Sequence, residues 1–531
     1  MATIKAAFSI YKTQPKSFKS MKKFTLLLTI GLLLMGCNNE DLTMDSTSQQ
    51  PRETEILTTF NEVDSATRTT GSYYDHGKHG RGLLFYWSAG DKIFVNDGTK
   101  LNQSVKDNIN GNPRKETATF SLPGNYTKTF YRVRYTGKNG SPNKVVIAAT
   151  QMQESPNDAQ HIGKDGDCGI AVAHRQGKKY LFTLTHEASY ATFVPYNRYG
   201  PTPSVCLRGV KVKADQAICG TFNFTDYGLD LGSRPVPTSA NKSINIPFNF
   251  FLIPYSHPVA DTTVTMVVAP GEYTNFTVEY SVYDIFREKF ATLTKKYPGK
   301  VTFTKGKNKR ISQDLPLMDD NYYMWDAGND YWMGHKKFQP TRPNYSDGSY
   351  PRSWDHLRWY NNIKGYTDYS GTAPAVLPMF DHFKRCPNVN EIYWYVKYGD
   401  PHWDNTTPWF LMGEVYTGGM WLRKSSKIPG FSKTHAPDKT TDYTKSTEIA
   451  QYCNWSVAQG KPANVDDYFF LPASGHYYEG VFNSIPSTGY YWTSTPYPFN
   501  SQISYSLNFS YNFICITGNG RDAGFRIWKA Q

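Results

Sequence analysis

Four short runs open the chain beyond residue 80: Leu83–Trp87, Lys92–Val95, Thr117–Phe120 and Tyr131–Tyr135, each four or five residues rich in aromatic and β-branched side chains, with Gly, Asn or Pro between them. Runs of this length are too short for stable helices, and no 3.6-residue period links them, so each must find partners in a sheet. The pattern continues through Val145–Ala148, Leu181–Leu184, Ala191–Val194, Cys206–Val212, Thr221–Phe224, Phe248–Ile253, Thr263–Val268, Phe276–Val282 and Val301–Phe303. A chain punctuated in this way folds as sandwiches or barrels. At 531 residues it exceeds a single hydrophobic core, so several domains are expected. Aromatics make up 15% of the chain, including 39 Tyr and 12 Trp, which suits both pleated sheets and exposed recognition surfaces.

Upstream, MKKFTLLLTIGLLLMGC (Met21–Cys37) places two lysines before an apolar run from Phe24 to Met35. The run falls short of the roughly 20 residues that a membrane-spanning helix needs, and reads as a secretory signal that is removed. Leu34-Met35-Gly36-Cys37 resembles the lipobox of bacterial lipoproteins, which implies cleavage before Cys37 and acylation of that cysteine. Residues 1–36 are then leader and signal peptide, with Met21 the expected start. Residues 37–70, rich in Ser, Thr, Gln and acids, read as a lipidated flexible tether. Glu40 and Asp41 resemble the surface-export signal of Bacteroidales lipoproteins. Six lysines leave with the leader, reducing the formal charge from +13 to +7. The remaining basic residues are scattered singly, so no nucleic-acid partner is expected.

Six cysteines follow Cys37. Cys206 and Cys219 flank an expected turn and are the candidate disulfide of an exported protein, while Cys515, inside Phe513-Ile514-Cys515-Ile516, reads as a buried small hydrophobe. No Cys/His spacing matches a zinc site, and no metal or cofactor is expected.

Trp87–Val95, Ala118–Phe120, Phe182–His186, the pair Leu207–Val212 and Ile218–Phe222, and Phe251–Pro254 followed by Thr263–Val268 together resemble the fimbrillin family of Bacteroidales over about residues 55–315. The resemblance implies two tandem β-sandwich-like domains, 71–176 and 177–318. Beyond an expected linker at Asp314–Tyr322 the composition shifts to Trp, Tyr, Pro and Gly. Tyr468–Gly475, Gly489–Thr495, Tyr505–Phe509 and Arg521–Trp528 resemble the Fibrobacter-type major paralogous domain, which is similar to C-type-lectin-like and formylglycine-generating folds. A third, α+β lectin-like domain over 319–531 is therefore expected, with a helix at Asp442–Trp455.

In this domain Glu391–Asp404 is the densest cluster of aromatic, acidic and histidine residues. It reads either as a buried strand ending in a Gly399-Asp400-Pro401 turn or, with Trp409–Trp421, as a ligand surface. Trp394, His402, Trp403, Asp404, Trp409 and Trp421 are the candidate contacts. The formylglycine-generating relatives imply an oxidative cysteine pair, but no catalytic set is found and no enzyme is expected. The calcium-dependent lectin signatures are also missing, Trp403-Asp404-Asn405 having the wrong order.

The fimbrillin resemblance implies an outer-membrane, surface-exposed lipoprotein acting as a pilus subunit for cell adhesion. In that family an arginine-specific protease removes the N-terminal segment and its first strand, and a strand of the next subunit fills the groove. Arg68 is the candidate cut, with Arg52 second. The closing Phe525–Trp528 run offers no tail to donate, which favours a tip or accessory adhesin whose partners are other fimbrial subunits and host or bacterial glycans or proteins. The alternative is a permanently lipid-anchored protein, either pilus anchor or glycan-binding lipoprotein.

Overall fold

The computed structural model describes residues 57–62, 70–74, 82–111, 115–198, 202, 204–317, 319–361, 378–498 and 500–529. Cys37, Arg52 and Arg68 lie outside the described residues. The chain from Glu55 onward forms one compact unit, mostly β-strand and built from several sheets. Among the described residues no helix is long and apolar enough to cross a membrane.

A nine-stranded sheet occupies the first region. Its central strands are Phe130–Tyr135, Gly169–Gln176, Lys179–Phe182, Leu57–Glu62 and Thr119–Pro123, in that spatial order. Alternation places Tyr131, Val133 and Tyr135 on the inner face, where they meet Phe60, Trp87, Phe120, Leu122 and Tyr180. The second region pairs Ser243–Leu252, Val205–Lys213, Thr277–Asp284 and Lys289–Lys296 in one antiparallel sheet, and Val264–Val268, Ser189–Tyr196 and Asn308–Asp314 in another. Both contribute to one core that includes Phe193, Val210, Ile246 and Tyr280. Strand Thr277–Asp284 alternates strictly, with Val278, Tyr280, Val282 and Asp284 buried.

The expected division at residues 176/177 falls inside a hairpin. Gln176 pairs with Lys179, and Gly177, at φ +62°, begins the two-residue turn between them. Strand Lys179–Phe182 thus belongs to the first sheet. Conversely, Lys144–Ile147 pairs with Gly220–Thr225, and Val145 and Ile147 enter the second core. The two regions exchange segments across the expected boundary.

The third region contains two four-stranded sheets. One comprises Ala458–Gln459, His402–Leu411, Glu414–Arg423 and Tyr468–Pro472; the other comprises Tyr452–Asn454, Phe513–Gly520, Ile503–Ser510 and Thr488–Pro496. The longest helix among the described residues is Val389–Tyr398, not Asp442–Trp455, so the strand reading of 391–398 is also corrected. The reason is a capping box. Asn388 Oδ1 accepts from the Glu391 N–H at 3.0 Å, and Glu391 Oε2 accepts from the Asn388 N–H at 2.8 Å. Val389, Ile392, Tyr395 and Val396 then share the buried face. At 442 the local chemistry opposes a helix: Asp442 Oδ1 accepts from the N–H and hydroxyl of Thr444 and from Asn390 Nδ2, an alternative to helical bonding. Residues Tyr452–Asn454 form a strand instead.

Candidate functional site

Strand Leu57–Glu62 is enclosed on both sides. It runs antiparallel to Thr119–Pro123, from Leu57 opposite Pro123 to Asn61 opposite Thr119, and parallel to Lys179–Phe182, from Thr59 opposite Lys179 to Glu62 opposite Phe182. Phe60 is fully buried. Its ring stacks on Tyr180 at 4.9 Å and meets Tyr126 edge-on at 5.2 Å. The Tyr180 hydroxyl donates to the Lys128 carbonyl at 2.7 Å. At the far end the buried Glu62 carboxylate accepts from Trp87 Nε1.

The hairpin after this strand belongs elsewhere. Thr70–Tyr74 pairs with Gly82–Tyr86 in a separate two-stranded sheet, and Phe85 packs into the second core, 4.1 Å from the His186 ring and 5.0 Å from Tyr190. The connection between strand and hairpin carries Arg68. If that connection is cut, only non-covalent contacts retain Leu57–Glu62.

Most of the sequence-predicted ligand residues have structural partners. Trp394 is buried and donates from Nε1 to the His435 carbonyl at 2.8 Å; Trp409, also buried, donates to the Gly418 carbonyl at 2.9 Å and stacks on Tyr416 at 5.1 Å. Trp403 lies in the third region's main core. The buried Asp404 carboxylate accepts from the Thr406 N–H at 2.7 Å, from both Thr406 and Thr407 hydroxyls, and from Trp421 Nε1 at 3.0 Å. Burial pushes this carboxyl up, but the hydroxyl and indole donors outweigh it and hold it down to about 2. Asp404 and Trp421 are therefore brought together to shape the irregularity between Asp404 and Pro408 in their hairpin, while the Trp421 ring rests on Phe470 at 5.1 Å.

His402 borders a surface cleft of about 480 Å³ with Asp400, Arg423, Lys427 and Tyr468. Asp400 Oδ2 accepts from Arg423 Nη2 at 2.6 Å and from the Tyr468 hydroxyl at 2.5 Å, and His402 Nε2 is 3.6 Å from Asp400 Oδ1. Burial raises the Asp400 carboxyl, but these three partners outweigh it and leave it below the usual range. Lys427 pairs with Asp467 at 2.9 Å. These charges satisfy one another within the cleft.

The candidate cysteine pair is not bonded: Cys206 and Cys219 are free and buried, and burial raises Cys219 to about 12. The disulfide joins Cys453 to Cys515, which oppose each other on paired strands, so the reading of Cys515 as a simple hydrophobe is corrected. Their adjacency depends on a pairing 62 residues apart in sequence. Among the described residues no group of three or more His, Cys, Asp or Glu is placed to hold a metal ion.

No protein-family model and no curated protein sequence matches the chain. Solved structures do. A candidate cell adhesion protein from Bacteroides uniformis is 15% identical, covering 50% of this chain and 94% of its own at a TM-score of 0.30. Another from Bacteroides ovatus is 12% identical, covering 49% and 93% at 0.31. A fimbrial protein from Bacteroides ovatus, 12% identical, covers 89% of this chain and 99% of its own at 0.23. Likeness at these TM-scores carries no argument about function.

Proposed function

We propose that this protein is a non-enzymatic outer-surface lipoprotein that serves as a fimbrial subunit, a tip or accessory adhesin assembled by strand addition. The observation that carries the reading is the enclosed strand Leu57–Glu62, whose slot is completed by a segment on the far side of Arg68 from the rest of the fold. Cleavage at Arg68 would free both the lipidated tether from Cys37 and this strand. An incoming strand would gain main-chain hydrogen bonds on both edges, with its register set by one large apolar side chain in the Phe60 position between Tyr126 and Tyr180.

The tip or accessory position is supported by the packing of Ala523–Trp528. Phe525 bridges to Tyr323, Arg526 to Tyr491, and Trp528 Nε1 donates to the Trp492 carbonyl at 3.1 Å. This segment is committed to its own region. We read residues 71–176 and 177–318, with the exchanged segments, as two fimbrillin-type sandwiches and 319–531 as a lectin-like recognition domain.

Mass spectrometry of the mature N-terminus on cells tests the processing. A chain beginning at Thr69 supports the fibre reading, whereas an acylated Cys37 retained at the surface makes the protein a permanent anchor. In vitro, protein trimmed at Arg68 is expected to bind a synthetic peptide spanning residues 55–64 and to form no long homopolymers. Homopolymers would sink the tip assignment.

A further inference from the structure

A second cleft in the third region, of about 280 Å³, is built differently from the one beside His402. Four separate stretches converge on it: Met324 and Tyr331 from one, Tyr350, Arg352, Trp354 and Trp359 from the next, Glu479 from the Tyr478–Val481 turn, and Asp522 from the turn after Phe513–Gly520. The convergence is enforced by Gly480. At φ +79° a Cβ there would lie 2.4 Å from the Asp347 carbonyl oxygen and 2.7 Å from Tyr350 Cδ1, so only glycine lets the turn seat Glu479 against this wall.

Trp354 presents its indole to solvent at 72% exposure, beside the half-buried Trp359 and Tyr350. A single exposed aromatic needs no explanation, but three around one polar cleft provide flat stacking surfaces next to hydrogen-bonding groups. The Arg352 guanidinium lies 3.6 Å over the Tyr350 ring, a donor fork held in place by its own stacking. Glu479 and Asp522 both line the cleft; burial raises the Asp522 carboxyl, and the Glu479 charge raises it further.

We infer that this cleft binds a neutral saccharide. A cationic ligand would meet Arg352, and an anionic one would meet Glu479 and Asp522. A neutral polyol uses all three, donating hydroxyls to the carboxylates and accepting from the guanidinium while a sugar face stacks on Trp354. The cleft volume lies at the lower edge of ligand-site sizes, which fits a terminal unit of a glycan. The inference rests on reading 319–531 as the recognition region, and it requires neither cleavage nor a fibre.

The test is binding of the purified full chain to maltohexaose, cellohexaose, xylohexaose, mannohexaose and N-acetyllactosamine oligomers, with sialyllactose and chitosan oligomers as charged controls. At least one neutral saccharide is expected to bind, and Trp354→Ala and Glu479→Gln, both at exposed positions, should each weaken it at least ten-fold with an unchanged melting temperature. Binding that survives both substitutions would overturn the site while leaving the region's recognition role standing. Binding of charged controls alone, or of none of the panel, would overturn the ligand class, and the N-terminal processing experiment would still judge the fibre reading on its own.

Discussion

Arg287 of the second region grips Glu414 of the third, with Nη2 and Nε at 2.5 and 2.9 Å from the same carboxylate oxygen. The guanidinium also lies 4.2 Å over the Tyr416 ring, and Asp284 accepts from the Val415 N–H at 2.8 Å. Val415 itself is buried in the second core. The Leu411–Glu414 turn is thus a plug joining two regions.

The junction predicts coupled unfolding. Arg287→Ala and Glu414→Ala should each cost about 1–2 kcal/mol, discounted for partial exposure, and the double variant should cost less than their sum. Calorimetry should show one transition in the parent chain and a separated shoulder in the double variant. Strict additivity would mean that the ion pair contributes nothing.

Phe60→Ala should cost about 3–4 kcal/mol, the usual penalty for emptying a buried aromatic site. Amide exchange in Thr119–Pro123 and Lys179–Phe182 should accelerate selectively, because these strands lose their shared neighbour. Protection that falls equally throughout the second region would argue against a separable strand.

Non-reducing peptide mapping should recover Cys453 linked to Cys515, with Cys206 and Cys219 alkylated only after unfolding because both are buried. Removing the bridge with paired Cys453→Ala and Cys515→Ala changes should lower stability by up to about 4 kcal/mol, the chain-entropy value for a loop of this length. Recovery of a Cys206–Cys219 peptide would contradict the assignment.

His476 supplies a pH dependence. Burial lowers its pKa from 6.5 to about 4, and its ring packs 4.3 Å from Tyr490. Between these values the unfolded chain binds a proton that the folded chain refuses, so stability is full above pH 6.5 and declines as pH falls towards 4, by about 3 kcal/mol at most. Denaturant titrations of His476→Gln from pH 7 to pH 4.5 should show a shallower decline than the parent.

The strands were legible because their signal is local. In Thr277–Asp284 the alternation is in the residues themselves, and the burial follows it. The helix at Val389–Tyr398 was equally legible in principle through Asn388 and Glu391, but its aromatic content suggested a strand. At 442–455 helix-compatible spacing lost to Asp442, whose side chain bonds to neighbouring groups.

The candidate site was less legible for a different reason. Trp394, Trp403 and Trp409 have the composition of a ligand surface, and only packing shows that their rings are buried and that the buried carboxyl of Asp404 is fully engaged within its own hairpin. The aromatic cleft is not legible in the sequence because Trp354, Glu479 and Asp522 are scattered along the chain and meet only at the Gly480 turn.

The residues by themselves determined that this chain is predominantly β, because side-chain alternation and turn chemistry act over a few neighbours. Tertiary structure decided which strands pair: Lys144–Ile147 with Gly220–Thr225, Cys453 with Cys515, and Leu57–Glu62 between Thr119–Pro123 and Lys179–Phe182. A strand edge offers the same hydrogen-bonding groups to any partner. The choice is made by long-range packing, such as Phe60 between Tyr126 and Tyr180, which no local pattern records.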